Sequence, residues 1–477
     1  MDGWNHPVFT VRGDKVIRFE HVNFQYAGSE TGVTDICLHV RKGECIVLTG
    51  PSGNGKTTLI RLVNGLAPAF YTGQFSGCIQ IDGKDRSGEP LWKRGKTVGS
   101  VFQDPGSQFF SSEMPGEVAF GCENYGFPHE KIILRTDTAI RRFHLERLSS
   151  RSLDVLSSGE KQRTAVAAVY AMNPPIYVCD EPTANLDEQG VAELRETLQG
   201  LKQEGCTLLI AEHRLYWLMD LADRFVYIRD GSVQWERTPE QMRRLSSETL
   251  EQLELRAVRQ YKSTRLSPPI GIGTPILSLR GLSCKRRNHT IWENLNLAAW
   301  SGQIIAITGH NGAGKTTLAK IVAGLERPSK GNIFLHGRNA GSAQRRKCCW
   351  YSSNDTGTQF FTNSVTEELL LGGSRTEGRL EKARNLLKKF ALYPYKDAHP
   401  AVLSGGQKQR LSIACGLLSG REILLLDEPT SGLDGGNMRK IASSLVQAAS
   451  EGKTILVITH DEELIQVCCD FSWKLSG

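Results

Sequence analysis

The sequence predicts an α/β protein of two tandem P-loop domains, on three observations. The spacing GxxxxGK[ST] occurs twice, as GPSGNGKTT at Gly50–Thr58 and GHNGAGKTT at Gly309–Thr317, each time after an apolar strand and before a helix. A long stretch at Leu156–Asp187, LSSGEKQRTAVAAVYAMNPPIYVCDEPTANLD, returns at Leu403–Asp434 as LSGGQKQRLSIACGLLSGREILLLDEPTSGLD. Paired residues also keep a constant offset: Asp180 and Asp427, His213 and His460, and Ser157 and Ser404 each stand 247 residues apart. Lys56 and Lys315 stand 259 apart, so the second copy is shorter by 12 residues, lost between the P-loop and the repeated stretch.

In chain order, residues ~14–50 read as short alternating strands (VIRFEHVNFQY, then CIVLTG) that end at the first P-loop. Leu59–Gly65 continues as a helix, Gln80–Asp82 is a strand, and VGSVFQDPGSQFF follows. Residues ~113–150 form a mostly helical insert. Val191–Gln203 is helical and Cys206–Glu212 is a strand. Pro239–Tyr261 is charged with helical spacing and runs into SPPIGIGTP, a Pro/Gly-rich linker. The expected boundaries are therefore 14–236 for the first domain, 237–275 for a helical extension and linker, and 276–477 for the second domain.

Composition narrows the class. At 477 residues the chain holds two or three domains with full cores. Its 58 basic and 51 acidic residues leave a net charge of +7, which suits phosphates or an anionic surface without demanding either. No apolar run approaches the ~18 residues needed to cross a bilayer, and the N-terminal residues lack the pattern of a signal peptide. A cytoplasmic location is expected. The 12 cysteines include no CxxC pair, so zinc-type spacing is absent, and Cys45 and Cys179 sit in strand runs as core thiols do.

The chemistry follows from residue type and place. Gly50, Gly53 and Gly55, and Gly309, Gly312 and Gly314, let backbone N–H groups close around the β- and γ-phosphates. Pro51, Ser52 and Asn54 complete the first loop, and His310, Asn311 and Ala313 the second. Lys56 and Lys315 are expected on the β/γ-phosphates, Thr57 and Thr316 on Mg²⁺, and Thr58 and Thr317 on another phosphate oxygen. Asp180 and Asp427 end the strands IYVCD and ILLLD, where a carboxylate can hold Mg²⁺ through water.

The P-loop, the LSGGQ turn, the Asp-Glu strand end, the LD turn and the later His make each half resemble an ATP-binding-cassette (ABC) ATPase. The resemblance covers nearly the whole chain. It implies, for each domain, an antiparallel β-subdomain and a helical subdomain beside the core sheet. It implies that Glu181 and Glu428 polarise the attacking water, and that His213 and His460 contact the γ-phosphate. Gln103, in VFQDP, takes the place of the Q-loop residue near Mg²⁺ and the reacting water, and Tyr26 is placed to stack on adenine. In this family the signature turn of one domain caps the nucleotide of the other. That pairs Lys56, Asp180, Glu181 and His213 with Ser404, Gly405, Gly406 and Gln407, and Lys315, Asp427, Glu428 and His460 with Ser157, Gly159 and Glu160.

The two sites are not expected to be equal. Ser158 replaces a signature glycine, a change costing ~1–2 kcal/mol if the position needs positive φ, and Glu160 puts a carboxylate near phosphate. Aligning QFF at Gln108 with QFF at Gln359 sets Asn354 opposite Gln103, and Arg286 falls opposite Tyr26. The first site is expected to hydrolyse faster.

Within the family, FQDPGSQFFSSEMPGEVAFG and SNDTGTQFFTNSVTEELLLG are similar to the segment after the Q-loop in energy-coupling-factor (ECF) importer ATPases. That resemblance implies two membrane partners, a transmembrane coupling protein and a small substrate-binding membrane protein. It also implies a peripheral place at the membrane's cytoplasmic face and a vitamin, vitamin precursor or transition-metal cargo. The alternatives are a tandem sugar-importer ATPase and a soluble translation-type ATPase. Against the latter, no polybasic run marks an RNA surface, and no nucleic-acid partner is expected.

Overall fold

The computed structural model describes residues 15–261, 273–286, 289–354, 357 and 359–475. The expected linker residues 262–272, and residues 355, 356 and 358 of the expected partner groove, lie outside the described residues. The chain divides into two units: one holds the described residues up to Thr183 together with Gly190–Ser246, the other Ala184–Gln189 and the described residues from Ser247 onward.

The first unit contains β1 (Lys15–Tyr26), β2 (Gly32–Arg41), β3 (Cys45–Thr49), β4 (Gly73–Ile81), β5 (Lys84–Asp85), β6 (Val98–Val101), β7 (Ile176–Asp180), β8 (Thr207–Ala211), β9 (Arg224–Arg229) and β10 (Ser232–Arg237). An antiparallel sheet runs β2-β1-β4-β5, and a six-stranded sheet runs β10-β9-β3-β8-β7-β6. The latter is parallel except for the β9–β10 hairpin. Every residue of β3 and β8 is buried, because helices cover both faces of a parallel sheet, and such strands read as unbroken apolar runs. Strand β4 is far longer than the short strand expected at Gln80–Asp82. Its polar start pairs along β1 from Gly73 to Ile81 with one face in water, so the segment carries no apolar signal.

The second unit repeats the plan with β11 (Leu277–Arg286), β12 (His289–Ala299), β13 (Ile304–Thr308), β14 (Lys330–Leu335), β15 (Arg338–Asn339), β16 (Cys349–Ser352), β17 (Ile423–Asp427), β18 (Thr454–Ile458) and β19 (Phe471–Lys474). Its sheets run β12-β11-β14-β15 and β16-β17-β18-β13-β19, the second wholly parallel. The helical part of the first unit comprises Met114–Asn124, His129–Arg142 and Ser158–Met172, and that of the second Val365–Leu370, Glu377–Lys389 and Gly405–Leu418. Part of the length lost from the second copy is visible here, where an 11-residue helix is answered by one of 6 residues.

The expected helical extension takes a different form. Among its described residues, only Pro239–Arg243 and Ser247–Gln252 are α-helical. Thr238 and Gln241 form a capping box that starts the first helix. Beyond the second, Glu254 turns into the left-handed region (φ 56°), and Leu255, Arg256 and Val258 are buried in the second unit. A helix carried through this stretch would put Leu255 and Val258 on one face and turn Arg256 away from it, and the left-handed turn at Glu254 lets all three be buried.

Candidate nucleotide-binding and hydrolysis sites

Each P-loop leaves the end of a buried strand, β3 or β13, and turns directly into a helix, Lys56–Asn64 or Lys315–Val322. The turn is tight against the sheet: at Gly50 (φ 136°) a Cβ would lie 2.1 Å from the Ile228 carbonyl oxygen. No larger residue fits there. Lys56 is buried and donates to the carbonyls of Gly50 (2.9 Å) and Pro51 (2.8 Å). Lys315 does the same with Gly309 (2.7 Å) and His310 (3.0 Å), and its Nζ also lies 2.9 Å from His460 Nε2. Burial draws the Lys315 ammonium below its ordinary pKa, opposed by Glu428, Asp187 and Asp427. A polar cavity of about 800 Å³ opens beside the first loop, lined by Thr31, Gly32, Gly53, Asn54 and Asp230 among others.

The strand ends β7 and β17 bring the carboxylates to these loops. Thr57 Oγ1 donates to Asp180 (3.0 Å), and Thr316 Oγ1 to Asp427 (2.7 Å). Burial first, and then the Glu181 charge, push the Asp180 carboxyl up to about 7; Asp427 is raised by burial as well. A buried carboxylate beside a hydroxyl is a hard-oxygen donor set with a charge still to be balanced, which fits Mg²⁺.

Glu181 and Glu428 follow, and both adopt positive φ, 44° and 49°. Each is held there by one more ladder bond, Glu181 N–H to Ala211 (2.8 Å) and Glu428 N–H to Ile458 (2.9 Å). A non-glycine residue in this region costs about 1–3 kcal/mol, and the result turns the carboxylate out of the strand toward the P-loop side. The strain has no sequence signal.

Around the two glutamates the wiring differs. Gln103 Nε2 donates to Glu181 (3.0 Å), and His213 Nε2 lies 3.4 Å from Glu181 and 3.4 Å from Ser52 Oγ. Asn354 is exposed, and Glu428 instead accepts from Thr459 Oγ1 (3.3 Å). His460 Nε2 lies 3.2 Å from Asn311 Oδ1 and 3.8 Å from Glu428. Tyr351 Oη donates to Asp427 (3.2 Å), a contact that sequence reasoning missed. It arises because β16 pairs with β17 in register, with Tyr351 opposite Leu425. Tyr26 sits at the first P-loop helix, its hydroxyl 3.2 Å from Thr58 Oγ1 and accepting from Arg61 (3.1 Å). Arg286 is drawn to Glu326 by two bonds of 3.1 Å.

The signature turns are alike in backbone and overturn one expectation. Ser157 and Ser404 are exposed N-caps, accepting from Glu160 N–H (3.3 Å) and Gln407 N–H (3.4 Å). Ser158 and Gly405 are each the first residue of the helix, with Gly159 and Gly406 next, and neither Ser158 nor Gly405 has positive φ. The conditional strain at Ser158 is absent. The Glu160 carboxylate is turned back onto Ser157 N and Oγ, both at 2.8 Å, as the other half of a capping box.

Past each Q-loop position the chain presents an aromatic ring to solvent. Glu117 is buried and accepts from the N–H groups of Phe110 and Ser111 (2.8 Å each); Glu368 does the same for Phe361 and Thr362 (2.9 Å each). Phe110 is 77% exposed and Phe361 80%.

Two segments, residues 33–184 and 292–431, match the ABC transporter family model. The chain belongs to that family: its two domains are ABC ATPases that bind ATP, with hydrolysis coupled to transport. A Treponema denticola protein provisionally described as an ABC transporter ATP-binding protein is 37% identical over 97% of this chain and 96% of its own. A Bacillus subtilis protein provisionally described as an HMP/thiamine import ATP-binding protein is 31% identical, over 96% of this chain and 89% of its own. Among solved structures, a chain of ribosome-bound archaeal Pelota and ABCE1 has a TM-score of 0.68 at 22% identity, covering 95% of this chain and 76% of that one; this is a likeness of fold. No helix among the described residues is long and apolar enough to cross a membrane.

Proposed function

We infer that the chain is the ATP-hydrolysing subunit of an ECF-type importer, driving uptake of a vitamin, vitamin precursor or transition-metal ion through separate membrane subunits. The observation that carries this reading is the pair of solvent-facing rings, Phe110 and Phe361, each on a turn tethered by a buried glutamate two bonds deep. An apolar side chain held rigidly in water beside the catalytic strand is suited to a partner that must feel the nucleotide. The import-type relative in Bacillus subtilis supports the same direction.

At each site the P-loop amides and Lys56 or Lys315 hold the phosphates, and Tyr26 takes the adenine of the first. Thr57 with Asp180, and Thr316 with Asp427, would hold Mg²⁺, which would neutralise phosphate charge during transfer. Glu181 and Glu428 orient and deprotonate water, while His213 and His460 sense the γ-phosphate. The partners are a transmembrane coupling protein and a small substrate-binding membrane protein, which would place the chain at the cytoplasmic membrane face.

The test is purification of the tagged chain from its native cell in mild detergent, alongside Phe110→Ala and Phe361→Ala. Membrane proteins that copurify with the native chain and are lost from the double variant, with ATPase activity intact, support the reading. Copurification of ribosomes without membrane protein overturns it in favour of a soluble translation-type ATPase.

A further inference from the structure

The segment Glu254–Val258 lies in the connector between the two cassettes by sequence, yet it is built into the second catalytic centre. The Glu254 carbonyl accepts from Gly435 N–H (2.9 Å) and Gly436 N–H (3.3 Å), the opening amides of the helix Gly435–Ser450. Contact is so close that a Cβ on Gly435 would lie 2.1 Å from the Leu255 carbonyl oxygen, and one on Gly436 2.7 Å from Glu254 Oε1. At the constant offset of 247, the first cassette has Glu188 and Gln189 at these two positions. The glycine pair is thus the second cassette's own accommodation of the passing segment.

Arg256 is the centre of the contact. Only 2% exposed, its guanidinium pairs with Asp461, donates to Glu463 (3.4 Å) and to the Leu433 carbonyl (3.2 Å). Leu433 closes the turn that begins at Glu428, and Asp461 directly follows His460. Asp461 in turn accepts from Thr430 Oγ1 (2.6 Å). One arginine therefore ties together the two turns that carry the second site's glutamate and histidine.

The first cassette does this job from within. There Thr183 donates to Glu212 (2.5 Å), and Glu212 also accepts from His213 N–H (2.7 Å) and Arg214 N–H (3.0 Å). The acid stands directly before the histidine, one residue past the end of β8. In the second cassette Thr459 occupies that place, and the acid has moved to the far side of His460, where it is buried and needs an outside cation.

We propose that Arg256 is a positioning residue of the second hydrolytic site, through which the connector between the cassettes sets the geometry of Glu428 and His460 and so tunes that site alone. The proposal rests on the catalytic reading of those two residues. A pull on the connector would loosen both turns together without touching the P-loop at Gly309–Thr317.

The experiment uses the full chain and three variants, Arg256→Gln, Arg256→Lys and Gly435→Ala, with Glu428→Gln as reference. Hydrogen exchange and steady-state ATPase are read in parallel. Because Arg256→Gln leaves the buried Asp461 without its cation, and Glu463 with only the longer pair to Arg439 (3.8 Å), and can lose the fold, Gly435→Ala provides the second route: it keeps Arg256 and both acids but displaces the Leu255 carbonyl. The expected result for both is faster exchange at 430–436 and 459–464, with 309–317 and 212–216 unchanged. With it, kcat should drop by about threefold and KM for ATP stay within about twofold, and Arg256→Lys should recover part of the loss. Unchanged exchange in the two turns, or a KM rise that matches the kcat fall, overturns the proposal. If Glu428→Gln leaves turnover intact, it is the catalytic reading of the second site that fails, and the exchange data still decide whether the connector holds these turns.

Discussion

The two cassettes gather the same kinds of groups at their P-loops and support them by different means. In the first, Glu181 is gripped by Gln103 and flanked by His213, and the acid behind them, Glu212, directly precedes that histidine. In the second, Glu428 has Thr459 for a neighbour, Asp427 has Tyr351, and the acid Asp461 depends on Arg256. The comparison teaches that motif spacing specifies which groups stand at the P-loop, whereas the support of those groups is supplied by residues that differ between the halves. Preorganisation is where such differences act on rate.

The largest expected effect separates the two glutamates. Glu181→Gln should reduce steady-state ATP turnover by about a hundredfold, and Glu428→Gln by about two- to fivefold, since the first site has the fuller set of contacts to its base. Equal losses in the two ATPase assays would erase the functional side of the comparison. Next comes Gln103→Asn, which shortens the first site's grip by one methylene and imitates Asn354. A drop of about three- to tenfold in kcat with little change in KM is expected, and an unchanged kcat would show that the 3.0 Å bond to Glu181 is dispensable.

Smaller effects probe the surroundings. Burial, reinforced by Glu188 and Asp461, pushes the Glu462 carboxyl from the ordinary 4.5 up to about 7. The folded state then holds a proton that the unfolded chain releases, so stability falls as pH rises from 4.5 to about 7 and stays lower above it. Glu462→Gln should therefore raise the melting temperature above pH 7, with the gain vanishing below pH 4.5; a gain independent of pH would assign the effect to packing. The smallest change is at the signature turn. Ser158→Gly should destabilise by about 0.5 kcal/mol or less in denaturant melts, because the position is helical. A stabilisation would mean that the serine is strained after all.

Much of the site was legible in the sequence because phosphate chemistry tolerates few solutions. A loop that closes on phosphates needs glycine at Gly50 and Gly55, a lysine at the helix start, and a carboxylate at a neighbouring strand end, and these read directly at fixed spacing. Strands β3, β8, β17 and β18 were legible as apolar runs for the equally simple reason that both their faces are covered. The polar start of β4 was not, since a strand with one wetted face and glycines at 73 and 77 looks like a loop. Nor was the harmless backbone of Ser158, where a glycine opposite it invited an argument from φ that the helix start makes unnecessary.

Residue order by itself established two P-loop cassettes, their repeat, and the candidate residues gathered at each P-loop, because each of those features is local or repeats at a constant offset. Tertiary packing decided the rest. Arg256 finds Asp461 across 205 residues of chain, and Tyr351 finds Asp427 across 76 through the register of two parallel strands. No local pattern encodes such pairs. They exist because a buried charge must be met by whatever group the fold brings within reach, and here the fold brings different groups to two sites that the sequence spells almost alike.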